Sequence, residues 1–143
     1  MRVLSFVIVC VLLVSCSPKI QEIQYGSDAC DFCRMGIVDK GHASQLVTSK
    51  GKNLKFDAIE CMLHFMVENQ DNDYAYTLVS NLEQPGTLIN ADKATYIISK
   101  NIPSPMGAFL SAVSDKGSAI KVTEEFTGDI YTWTEIKDIM RKK

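Results

Sequence analysis

The sequence is poor in the residues on which most enzyme chemistry turns. Its 143 residues include two histidines, one tryptophan and four prolines. No serine stands in a nucleophile elbow, no glycine-rich loop follows a strand pattern to cradle phosphate, and the carboxylates are scattered. These gaps argue against an enzyme. Positive charge is scarce as well, since 15 Lys and Arg face 17 Asp and Glu for a net charge of −2. Without a basic field nothing holds a phosphate backbone, so nucleic acid is excluded as a partner. Long low-complexity runs are missing too. With 46% hydrophobic and 22% charged residues the composition is that of an ordinary globular domain, and the length suits one.

The one long apolar run, Val3 to Val14, is broken by Ser5 and Cys10 and falls short of a bilayer span, which takes roughly twenty residues. With Arg2 ahead of it, it reads as the core of a signal peptide over residues 1–15. Leu13-Val14-Ser15-Cys16 closes the run and resembles a bacterial lipobox, whose cysteine takes a diacylglyceryl group and becomes the mature N-terminus. A plain secretory signal with a chance cysteine is the alternative. Lipid on Cys16 would bind a membrane at about 0.8 kcal/mol per buried methylene. The expected location is the cell envelope, facing the periplasm and anchored to the inner or outer membrane. Residues 16–27, polar and carrying Pro18 and Gly26, read as the lipidated start and a tether, and residues 28–143 as the folded domain.

Five cysteines are present, of which Cys10 leaves with the signal and Cys16 carries lipid. Cys30, Cys33 and Cys61 remain, an odd number in a compartment that favours disulfides. At least one thiol is then free, which points to metal or redox chemistry.

Two similar stretches make up the domain, at about 36–82 and 88–143. In the first, strands around Ala43 to Ser49 and Asn53 to Phe56 flank a Lys50-Gly51-Lys52 turn. A helix follows from Asp57, with Glu60 completing its cap, and a third strand runs from Tyr74 to Ser80. In the second, strands at Thr95 to Ser99 and Ala108 to Val113 flank a proline-bearing loop. A helix over Asp115 to Phe126 ends at Gly128, a strand covers Asp129 to Trp133, and Ile136, Ile139 and Met140 mark a short last helix. Strand-strand-helix-strand twice gives an α+β fold of two related ββαβ units with a short C-terminal helix.

The sharpest chemical feature is Cys30-x-x-Cys33-x-Met35. A thiolate and a thioether two residues apart can meet one centre when the backbone turns, and soft sulfur donors favour Cu(I). Zinc gains little from a thioether, although Met35 also suits a core gap-filler. Pro103-Ser104-Pro105-Met106-Gly107 presents a second methionine on a stiff loop, where surface packing is the plainer reading. On the first helix Cys61 and His64 are three residues apart and could share a metal. They fall opposite the stripe of Ile59, Met62, Leu63 and Met66, which would leave them on an outer face. His42, in a Lys40-Gly41-His42 turn, reads as exposed.

Cys33-Arg34-Met35-Gly36-Ile37, Phe56-Asp57-Ala58-Ile59-Glu60-Cys61-Met62, Ile89-Asn90-Ala91-Asp92-Lys93-Ala94-Thr95-Tyr96 and Ser104-Pro105-Met106-Gly107 together resemble the NosL family of nitrous oxide reductase accessory lipoproteins. The likeness covers nearly all of the mature domain, in order. It implies a fold of two related ββαβ units and a Cu(I) chaperone, not an enzyme. By position the copper ligands would be Cys33 and Met35, with Met106 as a further candidate and Cys30 extending the motif. The implied partners are a copper-enzyme client, nitrous oxide reductase, and an ABC-type membrane complex, with the membrane itself reached through Cys16.

Other readings compete. A structural zinc module would use Cys30, Cys33, Cys61 and His64. A thiol-disulfide oxidoreductase would use Cys30-Asp31-Phe32-Cys33, but needs the pair at a helix start after a strand. A binding or structural lipoprotein would tie Cys30 to Cys33 in a disulfide.

Overall fold

The turn at Lys50-Gly51-Lys52 sets the first hairpin, because Gly51 takes a left-handed conformation (φ 87°) that suits glycine. Around it lie β1 (Ser44–Thr48) and β2 (Asn53–Phe56), followed by α1 (Ile59–Glu68), β3 (Tyr74–Asn81) and β4 (Gln84–Asn90). The second unit comprises β5 (Thr95–Ile98), β6 (Leu110–Val113), α2 (Lys116–Phe126) and β7 (Asp129–Tyr131), and α3 (Trp133–Arg141) closes the chain. The computed structural model describes residues 17–142, so the signal peptide and the lipidated Cys16 lie outside the described residues. Among those described, no helix is long and apolar enough to cross a membrane.

Both sheets are antiparallel, in the orders β2-β1-β3-β4 and β6-β5-β7. The twofold ββαβ order expected from the pattern is therefore present, with one strand more. That strand, β4, begins Gln84-Pro85-Gly86, a sequence that reads as a turn. At the sheet edge a proline costs no ladder hydrogen bond, which is why it is tolerated there.

The units share a core. Leu46, Phe56, Ile59 and Met62 of the first pack in one cluster with Tyr96, Leu110, Ile136 and Met140 of the second. Burying each large apolar side chain contributes about 1.5–3 kcal/mol. The Tyr96 hydroxyl donates to the Ala91 carbonyl at 2.7 Å, and its ring stacks on Trp133 at 5.6 Å. Caps hold the later helices. Asp115 accepts from Ser118 N–H at 3.0 Å, and Thr132 and Glu135 form a reciprocal capping box. Past α2, Gly128 (φ 124°) lies so near Ile98 that a Cβ would stand 2.7 Å from its carbonyl oxygen. No other residue fits there.

Two expectations are corrected. The stretch read as a tether lies against the domain. Ile23 is 4% exposed, the Gln45 side chain donates to the Gln21 carbonyl at 2.8 Å, and that of Asn53 donates to the Lys19 carbonyl at 2.9 Å. The polar composition hid this because one apolar residue and main-chain hydrogen bonds do the docking. His42 is buried, not exposed. Its Nδ1 meets Asp39 Oδ2 at 2.9 Å and its Nε2 meets Ser111 Oγ at 3.0 Å. The order of groups is that of a hydrolase triad, but Ser111 is fully buried on β6, out of reach of any substrate. The array acts as a strut between the units.

Replacing His42 with alanine leaves Ser111 and Asp39 without their partner and should lower unfolding stability by about 1–3 kcal/mol. Urea denaturation reads this, and an unchanged midpoint would show the strut to be idle.

Candidate metal centre

The cysteine turn is built before the site is. Cys30 N–H donates to the Met35 carbonyl at 2.7 Å and Arg34 N–H to the Cys30 carbonyl at 3.0 Å, with Arg34 at φ 68° and an Ala29–Gly36 bridge outside it. Asp31 ties the turn to β2, its N–H donating to the Lys55 carbonyl at 2.8 Å and its Oδ2 accepting from Lys55 N–H at 2.7 Å. The turn therefore covers the start of α1.

Cys30, Cys33 and Cys61 meet there as free thiols, with Asp57 beside them. Their four ligand atoms all lie within 4.8 Å of one another. Cys30 and Cys61 are fully buried, Asp57 nearly so, and Cys33 half-buried. Cys33 Sγ donates to Asp57 Oδ1 at 3.4 Å.

Three positions differ from expectation. Cys61 is not on an outer face, because the cysteine turn encloses the first turn of α1, where Ile59 to Leu63 are all buried. A helical wheel sees one stripe and misses a loop folded over the other side. Asp57 does not cap the helix, whose N-cap is Ala58 with no side-chain cap hydrogen bond. It faces the thiols instead. His64 does not complete a zinc set with the cysteines; its ring stacks on Phe32 at 5.8 Å, and Asp57 holds the fourth place. Asp57 was the residue missed, since its place before a helix matched a cap.

The two methionines sit outside this knot. Met35 is 54% exposed on the rim of the turn and Met106 is 40% exposed. Met106 lies in a tight turn in which Gly107 N–H donates to the Ser104 carbonyl at 3.0 Å. Ser104 Oγ donates to the buried Glu60 Oε1, which fastens the Met106 loop to the residue before Cys61.

The thiols perturb each other. Cys30 is held down to about 6, chiefly by the hydrogen bond from Cys61, against the opposing effect of burial. Cys61, donating that hydrogen bond and buried, is pushed up far beyond the ordinary thiol range. Burial raises Cys33. Soft, crowded sulfur beside one carboxylate can hold a thiophilic metal ion. The Cys30–Cys33 pair lies in a turn and not at a helix N-terminus, the position that activates redox cysteines.

Fold and site thus define an α+β domain with a thiol-carboxylate cluster able to bind a metal. The chain belongs to the NosL family, whose model matches residues 22–141. It is similar in fold to the crystal structure of the copper chaperone NosL from Shewanella denitrificans, with 20% identity and a TM-score of 0.70 over 82% of this chain and 94% of that one. No curated protein matches the chain.

A thiol whose value is lower folded than unfolded adds stability that is complete above the unfolded value and drains as pH falls through the folded one. For Cys30 that window runs from 9.0 down to about 6. In the metal-free, reduced protein the stability gap between wild type and Cys30→Ser should therefore narrow as pH falls across this window. A gap of equal size at both ends in urea titrations would contradict the assigned thiolate.

Proposed function

We propose that this chain is a lipid-anchored metallochaperone that binds Cu(I) at Cys33 and delivers it to an extracytoplasmic copper enzyme. The observation that carries the reading is a half-buried thiol, Cys33, standing within 4.8 Å of two more thiols and a carboxylate in a NosL-family domain. Cys33 is the thiol with surface to meet an incoming ligand. Cys30 supports it from beneath, and Met35 and Met106, both exposed, are the soft donors proposed to complete the site. Copper is cargo here, and an open site suits cargo, because an acceptor's sulfur or imidazole can add before a resident ligand leaves.

Nitrous oxide reductase is the client that the family resemblance suggests, with an ABC-type membrane complex as partner. Lipid on Cys16 would keep the domain near such a complex and raise its effective concentration there. Membership of a family with a described copper chaperone supports the metal. A structural zinc site is the second reading, favoured by Asp57 in the fourth position of the cluster. It would make the thioethers dispensable and the metal necessary for folding.

Cys33→Ser should weaken Cu(I) binding at least about a hundredfold, roughly 2.7 kcal/mol, in a competition titration under reducing conditions. Unchanged affinity would refute the copper reading. Native mass spectrometry that finds zinc in the purified domain, with unfolding on its removal, would favour the second.

A further inference from the structure

Delivery at Cys33 leaves two thiols with little to do. Cys30 and Cys61 are fully buried, so no acceptor reaches them directly. Buried thiols often serve only as small apolar residues. These two do not stand alone, because each has its sulfur within 4.8 Å of the other, of Cys33 Sγ and of an Asp57 oxygen. Metal–sulfur bonds of about 2.3 Å set two sulfurs about 4.0 Å apart around a trigonal ion and about 4.6 Å apart across a linear one. The cluster thus accepts an ion with small side-chain adjustments. Its backbone is already fixed, by the closed cysteine turn on one side and the first turn of α1 on the other.

We propose that Cys30, Cys33 and Cys61 form an inner, all-thiolate seat in which the domain stores Cu(I) away from solvent, and that Cys33 passes the ion from this seat to the exposed methionines. This rests on the copper reading and deepens it. An ion held between the buried Cys30 and Cys61 is shielded from incoming ligands by the surrounding protein, so release waits until it moves outward. Cys33 belongs to both seats, being the one thiol of the three with exposed surface. In the metal-free protein Asp57, accepting from Cys33 Sγ, keeps that side chain at the boundary. Met35 and Met106 then serve as the outer donors from which an acceptor takes the ion. Thiols that bind lose their protons to solvent, and copper stays monovalent throughout.

Selenomethionine-substituted protein separates the seats, because copper X-ray absorption distinguishes a selenium neighbour from a sulfur one. With one equivalent of Cu(I) under reducing conditions, the wild type should show a sulfur shell and no selenium. In Cys61→Ala the ion should shift outward, so a selenium neighbour appears and release to a chromophoric Cu(I) chelator speeds up about tenfold. Cys61→Ser should do the same. Selenium beside copper in the wild type, or a spectrum and release rate unaltered by either substitution, would overturn the inner seat while leaving copper binding intact. If neither variant folds, the wild-type spectrum decides alone. A wild type that fails to bind Cu(I) tightly overturns the copper reading and the seat with it.

Discussion

Asp31 and Lys55 exchange two hydrogen bonds, one main chain to main chain and one through the Asp31 carboxylate, and these moor the cysteine turn to the end of β2. Every other property of the centre depends on that mooring. It lays the turn across the start of α1, and so encloses Cys61 with Cys30. It leaves Cys33 at the lip and puts Met35 outside. Because β2 runs straight into Asp57, the same strand end supplies the carboxylate. Charge crowding then follows from geometry: sulfurs this close cannot all ionise in the metal-free protein, and the hydrogen bond between Cys61 and Cys30 lowers Cys30 while raising Cys61.

The second unit contributes less chemistry and more position. Its strand β6 receives His42 through Ser111, and its core side chains join those of the first unit. The loop between β5 and β6, which carries Met106, is tied to α1 where Ser104 reaches Glu60. The helix of the first unit thus carries Cys61, and the loop of the second that bears Met106 is fastened to the residue beside it. A fold of two similar units allows this division, since each can keep its own turn chemistry while both bury one core.

Sheets, helices and their twofold order were legible because they rest on local signals. Gly51 marks a hairpin turn, apolar runs mark strands, and Gly128 marks the end of α2, although the last strand pattern runs on through Trp133, where α3 already begins. Cys30 and Cys33 were legible as a pair for the same reason, being neighbours in sequence, and the structure brings both into the cluster while Met35 stays exposed beside it. What the chain did not disclose was contact across long separations. Cys61 and Asp57 reach the cluster only because a loop some two dozen residues earlier folds over them, and periodicity has no term for that. Asp57 even carried a false local signal, since an acid just ahead of a helix commonly caps it. His42 failed in the same way, its partner Ser111 lying 69 residues on. Strand β4 was hidden by a proline and a glycine that only an edge tolerates.

The docked stretch around Ile23 has a mechanical consequence. Asn53 and Gln45 grip the chain at Lys19 and Gln21, at the β2 edge of the first sheet. Were Cys16 the lipidated residue, only Ser17 and Pro18 would lie between the acyl chains and this grip, a leash of about 10 Å at full extension. A body on so short a leash could not tumble freely above a bilayer. It would stand with one sheet edge held toward the lipid and would sweep a narrow cone, so any acceptor would have to approach at the height and angle that this posture allows.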